Sequence, residues 1–119
     1  MNKNNKLVQL NYGLLDDYRQ SLGIDIVKKM LDLYSQQVVF YLVGIEKSLQ
    51  CDSAELWQEH CHKMKGAAGS IGLKSLHARL ALMEKTTADI TEKAQQLVEL
   101  KEHNQQAFAN VNAWLEKYN

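Results

Sequence analysis

The stretch DIVKKMLDLYSQQVVFYLVGIEKSL, residues 25–49, decides the architecture. Its apolar residues Val27, Met30, Leu31, Tyr34, Val38, Tyr41, Leu42, Ile45 and Leu49 recur at i, i+3 and i+4. That spacing lays one apolar stripe along a helix of about seven turns, whereas a strand would alternate with period two. A helix of this length buries such a stripe against other helices. The flanking sequence supplies them.

Upstream, Leu14, Leu15, Tyr18 and Leu22 predict a short helix over residues 11–22, stopped by Gly23. Downstream, Asp52 or Ser53 caps a third helix whose seam is Trp57, Cys61, Met64, Ala68 and Ile71. Gly72 and Lys74–Ser75 mark a break. A fourth helix then carries Leu73, Leu76, Leu80, Met83 and Thr87 on one face. Asp89 or Thr91 caps a fifth, with Ala94, Leu97, Val98, Phe108, Val111, Leu115 and Tyr118 along it. The expected fold is all-α, an antiparallel up-down-up-down four-helix bundle preceded by a short N-terminal helix. Residues 1–10 are polar and read as a flexible lead-in. Residues 11–119 read as one domain, the usual size for a single core.

Composition agrees. Proline is absent, where about 5% is typical, and it would break helix interiors. Fourteen basic residues balance fourteen acidic ones. That balance argues against sequence-independent nucleic-acid binding, which needs a basic face. No segment approaches the ~20 apolar residues of a membrane span, and the first residues lack a signal peptide's apolar stretch. Two cysteines, Cys51 and Cys61, make no disulfide framework, so a reducing cytoplasmic setting is expected.

The third helix carries a second stripe. At ~100° per residue, Gln58, His62, Lys65, Gly66 and Gly69 fall between roughly 80° and 180° from the apolar seam. Each glycine inside a helix costs ~1 kcal/mol relative to alanine, so the pair needs a compensating reason. Gly66, at i+4 from His62, leaves the imidazole reachable by another molecule. Lys65, at i+3, brings a cation beside the ring. An accessible imidazole next to a cation suits holding an anion. Gly69 serves either access or close helix packing. Gly72 serves packing or ends the helix. Lys63 is a solvated charge or touches a partner.

The run His62-Lys63-Met64-Lys65-Gly66-Ala67-Ala68-Gly69-Ser70-Ile71-Gly72-Leu73 resembles the motif of histidine-phosphotransfer (HPt) domains. The matching positions are His62, Lys65, Gly66, Ala68, Gly72 and Leu76. The likeness extends over the chain from about residue 10. It looks most like the C-terminal HPt modules of bacterial hybrid sensor histidine kinases of the anaerobic-respiration type. The resemblance implies that His62 is phosphorylated, that Lys65 screens phosphoryl charge and that Gly66 gives access. It also implies that Glu84, 22 residues after the histidine, accepts a hydrogen bond from the ring, at a position where the family more often carries glutamine. Gln58 and Glu84 would frame the face that docks response-regulator receiver domains. The implied function is a two-component phosphorelay step, from one receiver aspartate to His62 and on to another. Mg²⁺ would come from the receiver, and the chain needs no cofactor of its own. It has no P-loop or kinase motif, so it is not expected to use ATP itself. It is expected to be monomeric, free-standing or joined to a sensor kinase.

Two other readings compete. One is a helical interaction module without phosphorylation. The other is a metal site at His60, Cys61 and His62. Residues i and i+2 of a helix point ~200° apart, which works against shared ligation. His77 and His103 read as isolated.

Overall fold

Among the described residues, five helices form where the apolar periodicity places them. The structure, a computed structural model, describes residues 10–118. The helices are α1 (Tyr12–Leu22), α2 (Ile24–Gln50), α3 (Ala54–Ser70), α4 (Lys74–Glu84) and α5 (Ile90–Glu116). Most of the expected lead-in, residues 1–9, lies outside the described residues. Leu10 is buried in the core.

Side-chain caps start three of the helices. Asn11, Ser53 and Asp89 each accept a hydrogen bond from the backbone N–H three residues on, at 3.1, 3.1 and 2.9 Å. Each satisfies one of the amides that a helix start leaves without an intrahelical partner. Around the bundle, α2 packs on α3, α3 on α4, α4 on α5 and α5 back on α2, while α1 lies on α2. Ile45, Cys61, Met64, Ala68, Leu73, Leu76, Leu80, Leu100 and Val111 have no exposed surface. Burying each of the larger of these side chains stabilises the fold by about 1.5–3 kcal/mol.

The turn between α3 and α4 fixes the C-terminal end of α3. Gly72 has φ of 78°, a left-handed conformation that favours glycine. Its N–H donates to the Gly69 carbonyl at 3.2 Å, and the Leu73 N–H donates to the Ala68 carbonyl at 3.0 Å. These two bonds make a Schellman stop. The chain before α1 clamps it, because the Asn11 N–H donates to the Gly72 carbonyl at 2.8 Å. The Tyr18 hydroxyl donates to the Ser70 carbonyl at the same distance. Gly72 therefore ends the helix and also packs closely, since a Cβ there would lie 3.0 Å from the Leu15 side chain.

Several local expectations differ from the structure. Lys74 and Ser75 are the first residues of α4, not part of a break. Thr87 lies beyond the end of α4 and is exposed. Ala94, Val98 and Tyr118 are exposed, and the buried stripe of α5 runs through Leu97, Leu100, His103, Ala107, Val111 and Trp114. Val98 sits ~100° around from Leu97, off the seam. His103 is not isolated. It is buried and accepts from the Arg79 Nε–H at Nδ1 (2.9 Å). Its Nε2 therefore carries the ring proton and donates to Ser75 Oγ at 2.9 Å.

Candidate functional site

The second stripe of α3 meets the C-terminal turn of α4. That turn is anchored to α3 one helical turn before His62. There, the buried Trp57 indole N–H donates to the Met83 carbonyl at 2.7 Å. The Met83 carbonyl, in the last turn of α4, also accepts from the Thr86 N–H at 3.3 Å, and the indole bond fixes the place of its neighbour, Glu84.

Glu84 holds two residues of α3 at once. His62 Nδ1 lies 3.0 Å from Oε2, and Lys65 Nζ lies 2.8 Å from Oε1. The Lys65 ammonium, and then the His62 ring, hold the Glu84 carboxyl below the usual carboxylate range, against its partial burial. An ionised carboxylate only accepts, so Nδ1 carries the ring proton and Nε2 keeps its lone pair. The His62 side chain is 66% exposed, whereas those of Lys65 and Glu84 are 22% and 14% exposed. The free nitrogen belongs to an exposed ring whose other nitrogen is tied.

Gly66 leaves the surface beside this ring low. A Cβ built there meets nothing within 4 Å. An alanine would not touch the imidazole, so crowding of the ring begins only with larger side chains. Gly66 is the ridge between two hollows. One, of about 400 Å³, runs between α2 and α3 and is lined by Leu33, Gln37, Tyr41, Lys63 and Ala67 among others. The other, of about 500 Å³, includes Gly69, Lys74 and His77. Lys63 borders the first hollow beside Gly66, and Gln58 is exposed one turn before His62.

Gly69 has a different reason. The His77 ring lies over it, and a Cβ there would come within 2.8 Å of His77 Nδ1. That nitrogen donates to the Lys65 carbonyl at 3.0 Å. Of the two roles open to Gly69, the geometry supplies close packing. Nor is His77 isolated, since it ties α4 to the backbone of Lys65. Gly44 plays a matching part on the other flank of α3. Three atoms of the His60 ring would stand 2.5–2.7 Å from a Cβ at Gly44. His60 therefore turns toward α2 while His62 turns toward α4, and the two imidazoles do not converge on one ion. Among the described residues, no group of three or more His, Cys, Asp or Glu side chains could hold a metal. Nor is any helix among them long and apolar enough to cross a membrane.

The sequence offered no signal for the Gly44–His60 and Gly69–His77 pairs, because each joins two helices through their register. It also missed the Trp57 anchor. A tryptophan on an apolar seam reads as core, and only the structure shows where its N–H goes.

The fold matches solved structures along almost its whole length. The histidine-containing phosphotransfer domain of ArcB from Escherichia coli superimposes with a TM-score of 0.82 at 23% identity, covering 97% of this chain and 98% of that one. The solution structure of the histidine-containing phosphotransfer domain of the anaerobic sensor kinase ArcB from Escherichia coli gives 0.81 at 23% identity, with 99% and 98% covered. At this identity the likeness is one of fold. No curated protein matches the chain. The model of the Hpt domain family matches residues 29–113, from the first turns of α2 to the last turns of α5. The chain therefore belongs to the Hpt domain family, whose members carry phosphoryl groups in two-component signalling.

Proposed function

We propose that Nε2 of His62 accepts a phosphoryl group from the aspartyl phosphate of a receiver domain and passes it to the aspartate of another. The observation that carries this reading is the held but exposed ring. Its Nδ1 is tied to Glu84 at 3.0 Å while the side chain remains 66% exposed. A fixed ring with one free nitrogen is prepared for in-line attack, which depends on positioning and charge stabilisation. The low ridge at Gly66 lets the receiver's acidic pocket close over His62. The hollow between α2 and α3 extends the docking face, and Leu33, 52% exposed, and Met30 give it apolar lining. Lys63 and Gln58 border the same face. The receiver brings the Mg²⁺ its pocket needs, and this chain brings the imidazole and Lys65.

The test mixes the protein with a phosphorylated receiver and follows acid-labile, base-stable phosphate. Wild type gains it and His62→Gln does not. Equal labelling of both, or none on wild type from a panel of receivers, would refute the reading.

A further inference from the structure

We propose that Glu84 keeps the Nδ1 proton on the ring while His62 is phosphorylated, and so sets the pH range over which the phosphoryl group can be given away. This rests on the proposed role of His62 and concerns the chemistry of its phosphorylated state.

Nδ1–H donates to Glu84 Oε2, and Nε2 holds the lone pair. In accepting the group, that lone pair forms the N–P bond, and the P–O bond of the aspartyl phosphate breaks with its electrons going to the carboxylate. The ring is now an N-phosphoimidazolium that still carries its Nδ1 proton. In the reverse step the N–P electrons return to Nε2 and a neutral imidazole leaves. If the phosphorylated ring first loses its Nδ1 proton, the leaving group becomes an imidazolate anion, which is far poorer. Donation to a receiver therefore needs the proton that faces Glu84.

The surroundings of Nδ1 favour retention. From α4, Glu84 faces it with a charged oxygen, followed by the exposed Lys85 at the helix end. From α3, Lys65 binds the other carboxylate oxygen at 2.8 Å, so its positive charge is partly spent on Glu84. On the α2 flank, the neighbouring hollow presents Gln37 and Tyr41, with Lys63 of α3 opposite. From α5, Lys93 stands over the Trp57 ring, 5.3 Å from its centroid. Among these groups, Glu84 is the anion at hydrogen-bond distance.

An opposite charge at this range moves a proton equilibrium by about 1–3 pH units, and the exposure of the ring argues for the lower end. A glutamine at 84 could still accept from Nδ1–H, but it carries no charge and leaves Lys65 unopposed. Both changes loosen the proton.

The experiment loads the full chain chemically with phosphoramidate, so that no receiver is needed. It then follows Nδ1 of phospho-His62 by ¹⁵N NMR from pH 5 to 10. The proton should leave the wild-type ring about one unit above its pH in free phosphohistidine. In Glu84→Gln it should leave about one unit below the wild-type value. At a pH above both midpoints, donation to a receiver should then be about tenfold slower in the variant. Lys65→Met should move the midpoint the opposite way. A wild-type midpoint at or below that of free phosphohistidine overturns the proposal, even if no variant folds. So does an unchanged midpoint in a folded Glu84→Gln. A protein that loads with phosphoramidate and titrates as expected, yet exchanges nothing with receivers, would instead defeat the role proposed for His62.

Discussion

Replacing Gly66 separates what stability asks of α3 from what a partner asks. The site is helical and open, with nothing within 4 Å of a Cβ. Gly66→Ala should therefore gain the full helix-propensity difference of about 1 kcal/mol. For a domain of this size that raises the melting temperature by roughly 3–5 °C. The same change at Gly69 meets His77 Nδ1 at 2.8 Å. It must push the ring aside and strain or break the bond to the Lys65 carbonyl, a cost of about 0.5–1.5 kcal/mol. Set against the same propensity gain, Gly69→Ala should thus melt close to wild type, about 0.5–1.5 kcal/mol less stable than Gly66→Ala. Gly66→Leu should stay folded, because its side chain projects into open space. Yet it should slow phosphoryl transfer from a receiver more than tenfold by covering the approach to His62. Thermal melts by circular dichroism, paired with single-turnover transfer, read both effects. A Gly66→Ala variant that melts below wild type, or a Gly66→Leu variant that transfers at the wild-type rate, would refute the reasoning.

Other outcomes follow from the same geometry. Gly44→Ala should destabilise the fold by about 1–3 kcal/mol, because the His60 ring occupies that space. Adding His60→Ala should recover part of the loss in urea melts. Cys61 is fully buried, and burial, then Glu84, pushes its thiol up to about 12. At pH 8 a thiol reagent should label the exposed Cys51 and leave Cys61 intact until the protein unfolds. The Glu84 carboxyl is held below its ordinary value of 4.5 in the fold, first by Lys65 and then by His62. Its contribution to stability is therefore present above that value and is lost as pH falls through the lower folded one. Urea melts of wild type and Glu84→Gln should differ at pH 7, and the difference should shrink steadily as the pH falls below 4.5.

What the sequence made legible were properties written along a single helix. The stripe from Val27 to Leu49, the cap at Ser53 and the stop at Gly72 each depend on residues a few positions apart. The spacing of His62, Lys65 and Gly66 is equally local. What it concealed depends on how helices register against one another. Gly69 stood on the same stripe as Gly66, and only the ring of His77 on α4 separates their roles. The resemblance assigned Lys65 to phosphoryl charge, whereas in the resting structure its ammonium rests on Glu84. His103 read as isolated because its partners, Ser75 and Arg79, lie 28 and 24 residues away on α4.

The most direct test locates the phosphoryl group itself. Protein labelled from a phosphorylated receiver, with ¹⁵N-histidine incorporated, should show a single N–P bond at Nε2 of His62, with Nδ1 still facing Glu84. Phosphate on Nδ1 of His62, or on His60, His77 or His103, would contradict the account.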